Sequence, residues 1–221
     1  MALPRDEVRV WTLDLDRDRD AVELLAEALT DEERASAEGR LRSGARERFV
    51  GGRGMARELL AAELGEEPRR IALATGPHGK PELAGAYAAS GLRFSVSHSG
   101  SVVAVAVAHD RMVGVDVERI RPLDELVLAR RWFAPAEAAA LEALSGEERR
   151  AEFFACWTRK EAYVKALGSG LTTPLSSFEV PVPGWTFTDL ALPAGYRGAA
   201  AAEGDDWELV ELAVSTPSAS P

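Results

Sequence analysis

Three strand-like segments follow one another closely in the middle of this chain, and they limit the possible folds more than any other feature. Residues 92–97 alternate apolar with polar side chains, which is typical of a strand with one buried face. Residues 102–108 form an unbroken apolar run, as in a strand buried on both faces, and residues 113–118 form a third strand pattern. The short connections predict a meander, so we expect a globular protein built around a sheet.

Further strand and helix patterns surround this meander. Thr30, with Glu33 at capping-box spacing, predicts the start of a helix rich in arginine and alanine. Pro135 is suited to the first position of another helix. Further helices are predicted over residues 21–29, 49–64, 124–132 and 151–167, and further strands over residues 8–15, 71–74, 178–182, 185–189 and 207–214. Residues 215–221 are expected to form a frayed tail.

The order of these elements predicts an α+β fold in two halves, residues 1–111 and 112–221. Each half is expected to pack helices on a small antiparallel sheet, with the seam near Arg111. Hydrophobic residues make up 46% of the chain and charged residues 28%, which are ordinary proportions for a globular protein.

Membrane, secreted and cysteine-based classes are excluded by what the sequence lacks. The longest apolar run, residues 102–108, is far shorter than the roughly 18 residues that suggest a transmembrane helix, and the N-terminus has no signal-peptide pattern. We therefore expect a cytoplasmic protein without a membrane partner. A single cysteine, Cys156, rules out disulfide scaffolds and zinc fingers.

Charge is distributed unevenly along the chain. The net charge of −10 disfavours nucleic-acid binding, because phosphate backbones are held by clustered lysine and arginine. Between Arg34 and Arg57, however, seven arginines face only two acidic residues, Glu38 and Glu47. Such a segment fits an anionic ligand or an acidic partner, and it fits equally a solvated helix face.

Two carboxylates two residues apart, Asp116 and Glu118, form the first candidate site. Side chains at this spacing share one face of a strand, while Val113, Val115 and Val117 face the core. Two carboxylates on one face repel, and Mg²⁺ would relieve that repulsion. A solvent-facing strand edge with ordinary acids remains the alternative.

The predicted helix over residues 151–167 carries the second candidate. Trp157, Glu161 and Lys165 step by four residues and so lie along one ribbon of the helix surface. A simple helix ion pair between Glu161 and Lys165 is the alternative interpretation. The helix ends at Gly168, and a Glu/Lys face next to that end could pack beside the Asp116 strand.

Ser97-His98 at a strand end and Lys80 in a Gly/Pro-rich loop form the third candidate, open to an anion. A histidine in this position can equally be a structural hydrogen-bonding group. The chain has no G-x-S-x-G elbow, no phosphate-binding P-loop and no G-x-G-x-x-G fingerprint. These absences disfavour hydrolases of the Ser/His/Asp type and the nucleotide enzymes of those folds.

In combination and in order, these motifs resemble the 4′-phosphopantetheinyl transferases, in the surfactin-synthetase-activating type. The resemblance covers about residues 30–180, and Ser95 stands where that family often has asparagine. It is carried by Gly79-Lys80-Pro81, by Phe94-Ser-Val-Ser97-His98-Ser99, by Gly114-Val-Asp116-Val-Glu118 and by Trp157-x-x-Lys160-Glu161-Ala-x-x-Lys165-Ala-x-Gly168-x-Gly170-Leu171. It implies two pseudo-symmetric halves in one polypeptide, a ligand site at their seam, and a monomer.

The resemblance also implies a reaction and roles for residues. Such enzymes transfer the phosphopantetheine arm of coenzyme A to a serine of an apo acyl or peptidyl carrier protein and release adenosine 3′,5′-bisphosphate. By motif, Asp116, Glu118 and Glu161 would hold Mg²⁺, and Lys165 would neutralise the pyrophosphate. Glu161 would also act as the base, either directly or through a metal-bound water. Lys80, Ser97 and His98 would bind the phosphates of coenzyme A, and Arg34 and Arg57 would bind either the 3′-phosphate or the acidic recognition helix of the carrier protein. The loop containing Thr75, Gly79 and Pro81 would offer its backbone to the adenine.

Two other functions stay open at this point. A Mg²⁺-dependent nucleotide pyrophosphohydrolase would also group carboxylates, although it would more typically place several glutamates on one helix. A non-catalytic nucleotide-binding protein would keep the phosphate-binding residues without the carboxylates. An apo carrier protein incubated with coenzyme A and Mg²⁺ would distinguish all three.

Overall fold

The computed structural model describes residues 3–40, 44–76 and 78–213, and it contains α-helices and small sheets in four layers. The strands are β1 (Glu7–Asp14), β2 (Leu73–Thr75), β3 (Pro81–Leu83), β4 (Leu92–Ser99), β5 (Val102–His109), β6 (Val113–Arg119), β7 (Trp185–Asp189), β8 (Tyr196–Glu203) and β9 (Glu208–Ala213). The helices are α1 (Arg19–Glu27), α2 (Asp31–Glu38), α3 (Ala45–Leu64), α4 (Glu125–Trp132), α5 (Pro135–Glu142) and α6 (Gly146–Leu167). The predicted α+β class is confirmed.

Two sheets form the centre of the molecule. The first has the strand order β4-β5-β1-β9 and the second has the order β6-β8-β7. All pairs in them are antiparallel except β1 with β9, which run parallel. The last strand of the C-terminal half therefore completes the sheet of the N-terminal half. The strands β2 and β3 form a separate hairpin around residues 76–80.

The two sheets pack face to face, and helices cover their outer sides. Valines and alanines of β1 and β5 meet Val113, Val115 and Val117 of β6 in one buried cluster. On the far side of the first sheet, α1 and α3 contribute Leu25 and Met55 to a second cluster. The far side of the second sheet packs against α6. Within the described ranges, no helix is long and apolar enough to cross a membrane.

Local signals set most helix ends as predicted. Thr30 and Glu33 form both hydrogen bonds of a capping box at the start of α2. Gly65 and Gly168 end α3 and α6 in the left-handed conformation, where a residue without Cβ costs least. The helices α3 and α6 begin one turn or more before the predicted residues 49 and 151, because their charged first turns show no apolar period.

Three strand predictions need correction. The short strand β3 was not predicted, because its first residue, Pro81, was assigned to a turn. Residues 178–182 form no strand, since Pro181 and Pro183 have no N–H to donate to a neighbouring strand. The strand β8 was not predicted, because its alanine-rich centre lacks the β-branched residues that mark strands. The predicted tail over residues 215–221 lies outside the described residues.

Candidate functional site

The site is built where β6 passes beneath α6. A Cβ added to Gly114 of β6 would overlap the carbonyl oxygen of Ala162 and would lie 2.5 Å from the backbone nitrogen of Ala166. Glycine at this position therefore lets the helix backbone contact the strand directly. The same approach brings Glu161 and Lys165, which flank Ala162 and Ala166 in sequence, to the face of β6 that carries Asp116.

Asp116 is 4% exposed and lies at the centre of a short polar network. Its Oδ1 accepts hydrogen bonds from Lys165 Nζ at 2.7 Å and from Ser97 Oγ at 2.9 Å. Lys165 Nζ also contacts Ser97 Oγ at 2.7 Å. The three residues come from three elements, so the network joins β4 of one half to β6 and α6 of the other.

The other oxygen of Asp116, Oδ2, is buried and has no hydrogen-bond partner in the part of the chain that the structure describes. Burying a carboxylate oxygen without a partner is costly, so each such atom needs an explanation. A cation, or a hydrogen-bond donor of a ligand, bound at this point would give Oδ2 a partner.

Glu118 and Glu161 are half-buried and interact electrostatically with Asp116. Burial is the largest cause that raises the pKa of each; for Glu118 a hydrogen bond from Ser99 opposes this rise, and for both the charge of Asp116 adds to it. Lys165 pairs with Asp116 rather than with Glu161, so the simple helix ion pair is not what holds this lysine. The three carboxylates therefore lie close enough for their charges to repel one another.

As the side chains stand, the described residues contain no group of three acidic, histidine or cysteine side chains that could close around a metal ion. The donors nevertheless suit a hard cation. All three are carboxylates, which Mg²⁺ prefers, one presents an oxygen without a partner, and all are held near one another by β6 and α6.

A cavity of about 120 Å³ lies on the other face of β4 from Ser97. His98 stands at its rim, and burial lowers the histidine pKa, helped by the positive charges of Lys165, Arg48 and Arg40. The cavity is lined by Arg48, Phe49, Gly52, Arg53, Ala56, Pro81, Phe94, Val96 and His98. Cations at the rim of a largely apolar slot fit an anionic ligand with a flat apolar part.

Arg48 and Arg53, which line this cavity, belong to the basic segment that the sequence predicted for an anionic ligand or an acidic partner. Arg53 lies 3.4 Å from Glu33, and Arg48 donates to the carbonyl of Gly100. The two arginines are five residues apart on α3, a spacing that did not distinguish them from the other arginines of the segment.

The structure places Arg34 and Arg57 elsewhere. The guanidinium of Arg34 donates to the carbonyls of Ala26 and Glu27 at the end of α1. Arg57 is 3% exposed, pairs with Glu33 at 2.6 Å and donates to two backbone carbonyls. Neither side chain is brought to the carboxylates or to the cavity beside His98, because each is engaged in holding α2 and α3 together with their neighbours.

Lys80 also makes contacts that the sequence did not suggest. Its Nζ donates to the carbonyls of Val113 at 3.3 Å and Ala166 at 3.0 Å, at the start of β6 and the end of α6. Burial lowers the pKa of Lys80 to about 8. The lysine thus fastens the β2–β3 hairpin of one half to β6 and α6 of the other.

The rest of that hairpin follows the prediction of a turn. Gly79 has a φ of +86°, and its N–H donates to the carbonyl of Gly76. Thr75 is exposed and stands opposite Pro81 in the hairpin register. Pro81 lines the cavity beside His98, so the hairpin and the histidine face one space.

Two family models together match most of the chain. Residues 17–110 match the model described as "4′-phosphopantetheinyl transferase, N-terminal", and residues 112–206 match the one described as "4′-phosphopantetheinyl transferase superfamily".

Similar proteins bear the same designation. The 4′-phosphopantetheinyl transferase HetI of Nostoc sp. (strain PCC 7120) is 35% identical over 219 residues, covering 94% of this chain and 92% of HetI. The 4′-phosphopantetheinyl transferase psf-1 of Bacillus pumilus is 33% identical and covers 77% of this chain and 71% of its own length. A crystal structure of Thermotoga maritima holo-[acyl-carrier-protein] synthase matches with a TM-score of 0.35 and 20% identity, over 42% of this chain and 62% of that one.

Proposed function

Because this chain belongs to the 4′-phosphopantetheinyl transferases, we propose that it moves the 4′-phosphopantetheine group of coenzyme A to a serine of an apo carrier protein. The observation that carries the proposal is the polar network of Ser97, Asp116 and Lys165, which joins the two halves beside two further carboxylates. A cytoplasmic monomer stays a prediction.

In the proposed reaction the serine hydroxyl oxygen forms a bond to the phosphorus that carries pantetheine. The bond from that phosphorus to the bridging oxygen of the pyrophosphate breaks, and adenosine 3′,5′-bisphosphate leaves with the electron pair. The serine proton passes to the carboxylate of Glu161, which α6 holds beside Asp116.

Asp116, Glu118 and Glu161 would hold Mg²⁺, and the chemistry this ion supplies when bound is neutralisation of charge on the pyrophosphate oxygens. Lys165, 31% exposed in its side chain, would share that task from the helix side. Ser97 would keep both Asp116 and Lys165 in place, since its hydroxyl contacts the two of them.

The cavity beside His98 would take the adenine ring of coenzyme A, with the ribose and the 3′-phosphate at its rim. Its apolar walls suit a purine, the cations Arg48 and Arg53 suit the 3′-phosphate, and the imidazole of His98 can donate a hydrogen bond to it. Lys80 would act mainly by fixing the hairpin against α6, since backbone carbonyls take its donors. Arg34 and Arg57 are not part of the proposed site.

Mass spectrometry of an apo carrier protein tests the proposal. Incubation with the purified chain, coenzyme A and Mg²⁺ is expected to add one phosphopantetheine group to the carrier, and a carrier whose target serine is replaced by alanine is expected to gain none. Breakdown of coenzyme A without an adduct would favour the pyrophosphohydrolase instead. Binding of coenzyme A with neither product would favour the non-catalytic protein.

A further inference from the structure

Three alternate residues of β4 join the two sheets through side-chain hydrogen bonds, in addition to the backbone pairing within each sheet. β4 is the outer strand of the first sheet and β6 the outer strand of the second. Between these edges, serine hydroxyls accept hydrogen bonds from backbone N–H groups of β6. The pairs are Ser95 with Val115 at 3.2 Å, Ser97 with Val117 at 3.2 Å and Ser99 with Arg119 at 3.1 Å.

We call Ser95, Ser97 and Ser99 the serine ladder. Each step of two residues on β4 matches a step of two on β6, so the two edges run parallel and in a fixed register. A one-residue slip would turn the carboxylates of β6 to its opposite face. Together with the pairing of β6 to β8, the ladder holds β6 in the register that turns Asp116 towards α6.

Two serines of the ladder also donate a hydrogen bond to a carboxylate of β6. Ser97 Oγ donates to Asp116 at 2.9 Å, and Ser99 Oγ donates to Glu118 Oε2 at 2.7 Å. The remaining rung, Ser95, stands beside Gly114, which offers no carboxylate. Ser95 is therefore an internal control: it contacts only the backbone of β6, whereas Ser97 and Ser99 also bind a carboxylate.

We propose that Ser99 is a positioning residue for Glu118, an inference that rests on the proposed function. Glu118 lies near the end of β6, is half-buried and is repelled by Asp116. A long side chain in that position has rotamers that lead to solvent. The short hydrogen bond from Ser99 keeps its carboxylate beside Asp116, where the two can serve one cation.

The experiment compares Ser99→Ala, Ser95→Ala and Ser99→Thr in the full chain. Removing a group that orients a metal ligand typically weakens metal affinity or activity 10- to 100-fold. Ser99→Ala is therefore expected to raise the Mg²⁺ concentration for half-maximal transfer by about 10- to 100-fold. It is also expected to weaken Mn²⁺ binding, measured directly by electron paramagnetic resonance on the protein with coenzyme A. Ser99→Thr keeps the hydroxyl and should restore both quantities.

Thermal stability should fall more in Ser95→Ala than in Ser99→Ala, the reverse of the order expected for metal binding. Ser95→Ala leaves the buried N–H of Val115 without an acceptor, so its Tm should fall by at least about 2 °C while its metal dependence stays normal. Ser99→Ala frees the N–H of exposed Arg119, which water can satisfy, so its Tm should change less. If the ladder were only structural, the variant with the larger loss of Tm would also show the larger change in metal dependence.

Several outcomes would overturn the inference. Normal Mn²⁺ affinity of Ser99→Ala would contradict it. So would a loss of metal affinity in both Ser99→Ala and Ser95→Ala that is proportional to their loss of Tm. A Ser99→Ala chain that fails to fold would show that the rung supports the fold rather than Glu118. In a Glu118→Gln background, Ser99→Ala should have little further effect, and an undiminished effect would contradict the assignment. If the unmodified chain makes no adduct on the carrier, the proposed function fails instead, and the Mn²⁺ titration still tests Ser99.

Discussion

Gly114 on β6 lies directly against the backbone of Ala162 on α6, with no room for a side chain between them. This contact sets how closely the helix approaches the strand. It therefore decides whether Lys165 reaches Asp116 at 2.7 Å. One residue without a side chain thus assembles a site whose charged members come from two elements.

Gly114→Ala is expected to push α6 away from β6 and to lose both stability and transfer. Overpacking of this kind typically costs about 1–3 kcal/mol. Thermal unfolding and the carrier assay measure the two effects. Gly39→Ala is the matched control, since its added Cβ would meet nothing closer than 3.6 Å. A Gly114→Ala chain with normal Tm and turnover would contradict the close contact.

Asp116→Asn keeps the shape of the side chain and removes its charge. Transfer should fall at least about 100-fold, as for the loss of a charged group at a reacting centre, while the valine side of β6 keeps the fold intact. Turnover is measured over a wide range of Mg²⁺ concentration, with circular dichroism as the control on folding. Near-normal turnover at saturating Mg²⁺ would remove Asp116 from the site.

Glu161→Gln separates a catalytic carboxylate from a helix surface charge. Loss of an exposed helix ion pair would cost only about 0.2–0.5 kcal/mol, whereas loss of a catalytic base typically slows a reaction about 10²- to 10⁴-fold. We expect the second result, with Glu152→Gln on the exposed side of α6 as the control. Full activity with slightly lower stability would show that Glu161 is a surface charge.

His98→Ala should weaken coenzyme A more than 3′-dephospho-coenzyme A. Only the first ligand carries the 3′-phosphate, and a hydrogen bond to such a charged group contributes about 1.5–3 kcal/mol. Dissociation constants for both ligands, with Tm on the same protein, provide the measurement. His109→Ala, on β5 opposite Leu92, serves as the control. Equal losses for the two ligands would mean that His98 is structural.

Lys80 should make stability depend on alkaline pH. Burial lowers its pKa from 10.5 to about 8 in the folded chain. Between these two values the unfolded chain binds more protons than the folded chain, so the contribution of Lys80 to the free energy of unfolding rises with pH and is complete above the unfolded value. Urea unfolding from pH 7.5 to pH 10.5 should show this rise relative to Lys80→Met. Identical pH profiles would place Lys80 in solvent.

Local periodicity was enough to predict much of this protein. The alternation in residues 113–118 put Asp116 and Glu118 on one face and the valines on the other, because successive strand residues point to opposite sides. The four-residue step put Glu161 and Lys165 on one ribbon of a helix. The capping box at Thr30 and the glycine stop at Gly168 set helix ends, since these interactions involve residues close in sequence.

What only the tertiary structure decided is which group each of these side chains meets. Sequence order did not reveal that β9 pairs with β1, that Lys80 donates to carbonyls of β6 and α6, or that Arg57 is buried against Glu33. It also gave no sign that serines of β4 would satisfy N–H groups of β6. Periodicity reports the face on which a residue lies, whereas its partner depends on how distant elements pack, and that is settled by the burial of the whole core.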